Sequence, residues 1–311
     1  MANIINADSH PRKLDRARTP RALELRSKYA DFTKWLLEVR RTNDNTIYCY
    51  LQGIAHYEEL FGNLNVTNTR LLKFKDHMER TFALKTASSR IGAINMYLRF
   101  IKSNCEPLKS PTVQRTFLEN VISLKEYQYL CDRLKQDGDL RLYFLFRTLG
   151  ATGVRAQELV MFQYDHVLDG YVDIRSKKKK VRRIYFPKKL RDEVQEYVNS
   201  GEVDRFDYIC RPNPKNKNRV YYRKKAGMIP SIGTAAFSKM FKTLAMKYGM
   251  DVDVMYPHSF RHMFAKAFIA KHKDIALLAD LLGHDNIETT RIYLRQTSEE
   301  QAALVDEIVT W

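Results

Sequence analysis

Arg155, a lysine run from Lys177 to Lys180, His258, Arg261, His284 and Tyr293 follow one another along a chain of 311 residues. Two arginines, a lysine and two histidines are the groups that hold a phosphate and neutralise its charge while it changes partners. Tyr293 supplies a nucleophilic oxygen to go with them. The chemistry open to such a set is attack on a phosphodiester.

Local spacing says how each group is presented. Gly150 ends an apolar helix, and a tight glycine turn, Ala151-Thr152-Gly153-Val154, delivers Arg155 to the start of the next helix, where Glu158 one turn on can hold the guanidinium. A held arginine gives the two-pronged grip that phosphate recognition needs; taken alone, the fragment reads equally as a surface ion pair. Pro257 suits the first turn of a helix. From there His258, Arg261 and His262 share one face, while Phe260, Phe264 and Phe268 point the other way into the core. The two histidines could pair on zinc, but the glutamate of an H-E-x-x-H motif is missing and Arg261 between the rings would repel a cation. Further on, Asp274 caps a short apolar helix that Gly283 ends, and His284 sits in the turn. Asp285 or Asn286 then opens a helix carrying Tyr293. An isolated tyrosine there is a core aromatic; this one follows the arginines and histidines already named.

Two domains are expected to position these groups. Residues 1–21 read as a flexible basic arm, too charged and proline-interrupted to fold alone. Residues 22–104 read as a helical domain. Phe32, Trp35, Leu36 and Val39 mark one apolar face, and Ile47, Tyr50, Leu51, Ile54 and Tyr57 mark a second helix that Thr46 opens. Leu71 to Met78 and Ile91 to Ile101 mark a third and a fourth. Pro107, Ser110 and Pro111 place a linker at 105–117, and residues 118–311 form the second domain. In it, Leu118–Leu134 and Leu140–Leu149 read as helices, and Tyr171–Arg175 and Val181–Pro187 alternate as a hairpin around the lysine run.

Composition agrees with a phosphate-bearing partner. Lys and Arg number 53 against 36 Asp and Glu, a formal charge of +17 shared between both halves of the chain. Such an excess favours a polyanion, because neutralising its phosphates releases counterions. Cys49, Cys105, Cys131 and Cys210 are scattered without a C-x-x-C pair, against a disulfide framework or a zinc ribbon. No signal peptide or membrane-length apolar run is visible, so a soluble cytoplasmic protein is expected.

Four boxes resemble those of the tyrosine recombinase (phage integrase) family: Thr152-Gly153-Val154-Arg155 its T-G-x-R, His258-Ser259-Phe260-Arg261 its H-x-x-R, Leu282-Gly283-His284 its L-G-H, and Tyr293 its nucleophile. They stand in family order with the family's step from the last histidine to the tyrosine, and the likeness spans nearly the whole chain. It implies a mainly α fold with a small antiparallel β-sheet in the catalytic domain. It also implies a two-domain DNA clamp whose helical, SAM-like half binds the core site. The family lysine lies in a hairpin turn, usually after Gly; here Ser176 stands in that place and Lys177 is the match.

The roles that follow are those of the family. Tyr293 attacks the scissile phosphate to give a 3′-phosphotyrosine, Arg155 and Arg261 stabilise the non-bridging oxygens, and Lys177 protonates the leaving 5′-oxygen. His258 assists proton transfer at Tyr293, and His284 donates to the phosphate; His262 stands outside that set. No cofactor or metal is required. The implied partners are duplex DNA with inverted-repeat core sites and three further copies of the chain in a tetramer on DNA. A carboxy-terminal helix, 298–311, with Leu304, Ile308 and Trp311 as its apolar stripe, docks on the neighbour. A bacterial cytoplasmic protein on the nucleoid is implied, with the need for a directionality protein left open. Two rivals remain: a monomeric type IB topoisomerase, and a catalytically inactive DNA-binding relative.

Overall fold

A computed structural model describes residues 4–6, 19–111, 120–175, 181–211, 234–294 and 305–309. The chain divides into two compact units, Arg12–Gln114 and Met1–Pro11 together with Arg115–Trp311.

Among the described residues, the first unit holds helices and no strand. Thr19 caps α1 (Pro20–Lys28), accepting from the Ala22 amide, and Pro20 takes the first helical position. Tyr29 leaves the helical region and α2 (Ala30–Glu38) resumes. Then come α3 (Asp44–Phe61), α4 (Asn68–Thr81) and α5 (Leu84–Phe100). Phe32, Leu36, Ile47, Leu51, Ile54, Tyr57, Phe74 and Ile91 fill one core, as their spacing predicts. Gly53 is required where α3 meets α5, since a Cβ there would run into Ala93. Three expectations change. Val39 is exposed because α2 has already ended at Glu38. The second helix starts at Asp44, since Asn43 caps it by accepting from the Thr46 amide. The supposed arm of residues 1–21 contains the start of α1 and, at its other end, a strand.

That strand, β1 (Ile4–Asn6), belongs to the second unit. It pairs in parallel with β2 (Tyr171–Arg175), with Asn6 opposite Arg175. On its other edge β2 pairs antiparallel with β3 (Val181–Tyr185), the expected hairpin. The sheet is therefore not purely antiparallel; a three-residue run whose partner lies far along the chain leaves no period to detect. The other described elements of this unit are helices: α6 (Leu124–Gln136), α7 (Leu140–Thr152), α8 (Ala156–Leu159), α9 (Tyr164–Leu168), α10 (Lys188–Asn199), α11 (Thr234–Lys247), α12 (Pro257–Lys271), α13 (Ile275–Leu282) and α14 (Glu288–Arg291), which runs into a 3₁₀ turn, Ile292–Leu294. Their main core holds Phe146, Phe241 and Phe260 in mutual ring contact at 4.8–5.4 Å. Where Leu118–Leu134 was expected to be helical, α6 begins only at Leu124, fixed by a Ser123–Glu126 capping box. No described helix is long and apolar enough to cross a membrane.

Candidate active site

Helix α7 runs through Gly150 to Thr152, two residues beyond the expected stop, and ends at Gly153, whose φ of +58° suits glycine. Gly150 is instead a packing glycine: a Cβ there would strike the Tyr127 ring. The turn that follows sets Arg155 at the N-cap of α8. The Arg155 amide donates to Glu158 Oε2 at 2.9 Å, and its Nη1 donates to Glu158 Oε1 at 3.2 Å. Its guanidinium is 38% exposed.

Pro257 opens α12, and Arg261, directly after the fully buried Phe260, is itself only 3% exposed. Phe260 enters the main core, whereas Phe264 and Phe268 are half-buried against a smaller cluster of Ala265, Ile269, Leu278, Leu282 and Tyr293. Helix α12 therefore wedges its polar face between two apolar ones.

The end of α13 is what draws the cations together. Gly283, at φ +65°, lets its own amide reach Asp280 O and the His284 amide reach Ala279 O. The next three carbonyls, which no helical amide can reach, each accept from an arginine. Leu281 O takes Arg182 Nη1 at 2.8 Å, Leu282 O takes Arg261 Nη2 at 2.6 Å, and Gly283 O takes Arg155 Nη2 at 3.0 Å. Cations belong at this negative end of a helix. Arg261 also donates through Nη1 to Gly153 O at 2.9 Å, which joins both glycine turns.

His284 continues the set. Its Nε2 lies 2.9 Å from Arg261 Nη2, a donor only, so the ring accepts there and carries its proton on Nδ1, 2.7 Å from Thr290 Oγ1. Burial and then Arg261, Arg155 and Arg182 push His284 down to about 4, so the imidazole is neutral near pH 7. Burial, with Arg155 and Arg182 behind it, likewise brings Arg261 down to about 9.

Tyr293 arrives by a different local route from the one expected. Asn286 accepts from the Glu288 amide, α14 is only a single turn, and the tyrosine sits in the 3₁₀ turn after it, 6% exposed. Its hydroxyl is 2.8 Å from His262 Nδ1. Burial raises the phenol's pKa, while Arg261 and Arg155 pull it down. His258 is exposed at the first turn of α12, its ring 6.5 Å from that of His262. Of the residues singled out in the sequence, Arg155, Arg261 and His284 thus meet on one turn, Tyr293 lies in the field of both arginines, and Lys177 falls outside the described residues.

Two groups of the site carry no distinct signal in the sequence. His262 shares the face of His258 by i, i+4 spacing but stands outside the family boxes. Arg182 lies on β3: its Nη2 donates to Glu158 Oε2 at 2.5 Å, and a Cβ on Gly283 would run into its side chain. One carboxylate, itself buried, so holds two guanidinia, Arg155 and Arg182. Glu158→Ala is expected to destabilise the chain by about 3 kcal/mol, because the buried Arg182 guanidinium loses its counter-charge. A lowered urea midpoint at unchanged slope measures it.

The family model for the phage integrase family matches residues 120–300, more than half of the chain and all of the residues just described. The chain belongs to the phage integrase family. Members of this family are enzymes that cleave and rejoin DNA. Among individual relatives, it is 27% identical to tyrosine recombinase XerA of Thermococcus kodakarensis over 88% of this chain and 94% of that protein. It is 26% identical to tyrosine recombinase XerD of Brucella suis over 89% and 95%. Among solved structures, XerH recombinase bound to its difH substrate aligns with a TM-score of 0.62 at 16% identity, covering 97% of this chain and 92% of that one. The Tn1549 transposon integrase in complex with transposon right-end DNA aligns at 0.64 and 15%, covering 90% and 98%. The integrase fold is thus present over both units.

Proposed function

We propose that this phage integrase family member is a site-specific DNA recombinase that cuts and rejoins strands through a 3′-phosphotyrosine on Tyr293. The observation that carries this reading is the convergence of Arg155, Arg261 and His284 on the Leu281–His284 turn, with the Tyr293 hydroxyl within the field of both arginines. A phosphodiester entering there meets two guanidinia already aimed by backbone carbonyls, so that charge is stabilised without reorganisation. Attack by the phenol oxygen releases a 5′-hydroxyl and keeps the bond energy in the phosphotyrosine, so neither ATP nor metal is called for. Lys177 is the acid to the leaving oxygen, His258 assists proton transfer at Tyr293, and His284 hydrogen-bonds the phosphate.

The partner is duplex DNA with inverted-repeat core sites, gripped by the helical unit and the catalytic unit together. The DNA in the XerH and Tn1549 complexes supports that reading, as does the +17 charge. The working location is the cytoplasm. The product is an integrated, excised, inverted or resolved segment according to where the sites lie, as for a mobile element.

Assembly on DNA separates this reading from a monomeric topoisomerase. Residues 305–308 are helical, and Val305 and Ile308 are 56% and 58% exposed with Val309 beside them, an apolar edge that supports docking on a neighbouring copy in a tetramer. The remaining residues of the expected 298–311 helix, Leu304 and Trp311 included, lie outside those described. Truncation after Gln296 should leave one protein bound per site and abolish pairing of two sites and strand exchange, read by sedimentation on two-site DNA. Pairing by the truncated protein would instead favour the topoisomerase. Covalent capture of wild-type chain on duplex DNA, followed by exchange between two captured duplexes, tests the function as a whole; the absence of any adduct would leave an inactive DNA-binding relative.

A further inference from the structure

We propose that His262 is a catalytic residue: its Nδ1 takes the phenolic proton of Tyr293 as the tyrosine oxygen attacks phosphorus, and gives it back when the strand is rejoined. The inference rests on Tyr293 being the nucleophile.

The geometry is that of a base on its acid. The hydroxyl and Nδ1 are 2.8 Å apart, with ring centroids at 5.6 Å and planes inclined by 50°. An imidazole protonated at Nε2 presents its Nδ1 lone pair to the phenol, and its intrinsic basicity near neutrality suits proton exchange. Both rings are registered by the same helix. His262 and Arg261 are adjacent on α12, and Ala265 and Ile269, further along that helix, form with Leu278 and Leu282 the cluster into which the Tyr293 ring packs. The oxygen is therefore fixed against the base by buried contacts rather than by the bond between them.

The need for a base follows from the environment. Burial keeps Tyr293 as a neutral phenol, with Arg261 and Arg155 pulling the other way. Attack must shed that proton within hydrogen-bond reach. In the cleavage step the Tyr293 O–P bond forms, the P–O5′ bond breaks, the phenolic proton moves to His262 Nδ1, and a proton from Lys177 caps the 5′-oxygen. Rejoining runs the same transfers backwards, so no oxidant, metal or co-reactant enters. Among the described residues, the groups facing this pair include Arg261 and His258 from α12, Arg155 from the α8 turn, Tyr256 before α12, and His284, whose own basicity His262 helps depress. The surrounding cations oppose a lasting imidazolium, and the incoming phosphate offsets them. Cleavage should then weaken as pH falls through the imidazole's titration, because the protonated ring cannot accept.

The experiment uses the full chain and DNA it selects for itself: nicked random duplexes are offered to wild type, and those recovered covalently are sequenced. Single-turnover adduct formation on one such duplex is followed from about pH 5 to 9. His262→Gln, which accepts a hydrogen bond but no proton, should bind normally, form adduct at least about 100-fold more slowly, and lose the acidic limb of the profile. His262→Ala should regain rate when imidazole is added. A duplex whose scissile 5′-oxygen is sulfur needs no acid for departure and should not rescue the Gln variant. Wild-type speed, or a retained acidic limb, in His262→Gln reduces the ring to a support for Tyr293 and overturns the proposal. Rescue by sulfur would make His262 an acid and overturn it too. Failure of wild type to capture DNA covalently would remove the nucleophile itself, a separate result.

Discussion

Tyr293→Phe is expected to bind DNA like the parent and to form no phosphotyrosine. The ring is held by Ala265, Ile269, Leu278 and Leu282, none of which touches the oxygen's role, so packing survives the substitution. What disappears is the hydroxyl and its bond to His262 Nδ1, an interaction whose net worth to stability is about 1 kcal/mol. The rate should fall by about 10⁴-fold or more, as when a nucleophile is deleted from a site whose other groups remain. Denaturing electrophoresis of protein trapped on a nicked duplex reads the difference directly. An adduct that persists in the Phe variant moves the nucleophile to another residue, and with it the roles given to both arginines.

Much of this site is legible in the sequence because its pieces are local. A glutamate three residues after an arginine and an aspartate before an apolar run each act over a single turn and stand where expected, Glu158 holding Arg155 and Asp274 accepting from the Leu277 amide, while the helix-ending glycine is Gly153 rather than Gly150. What the sequence does not reveal is long-range. Arg182 reaches Glu158 and Leu281 from a β-strand, and nothing within β3 distinguishes it from Arg183, which pairs instead with Asp173 across the hairpin. His262 looks like the spare half of a histidine pair until the 3₁₀ turn brings Tyr293 onto it. Strand β1 is the extreme case, three residues long and paired in parallel with a distant segment.

The three carbonyls at the end of α13 explain how so many like charges share one site before any phosphate arrives. Arg155, Arg182 and Arg261 each spend a donor on a backbone oxygen that would otherwise be unpaired. The same bonds align the guanidinia, so the turn both relieves and aims their repulsion. Gly283 is central to this: its left-handed φ ends the helix, and its missing side chain leaves room for Arg182.

Arg261→Lys tests that arrangement most severely. Arg261 is 3% exposed and donates to Gly153 O, Leu282 O and His284, three partners in divergent directions. A lysine keeps the charge on a single nitrogen and cannot span them, so the fork that meets a phosphate is lost. Its charge is also less secure. Burial, with Arg155 and Arg182, already brings the guanidinium down to about 9, and an ammonium starts from a lower pKa and is desolvated at greater cost. Because the cationic form is the active one, cleavage by the Lys variant should decline as pH rises, beginning at a lower pH than in wild type. At neutral pH the expected loss in single-turnover cleavage is about 100-fold to 1000-fold, or roughly 3–4 kcal/mol. DNA affinity and its salt slope should stay near wild type, because binding is spread over a chain of charge +17. Parallel losses of affinity and rate would make Arg261 an ordinary phosphate contact, bound equally in ground and transition states.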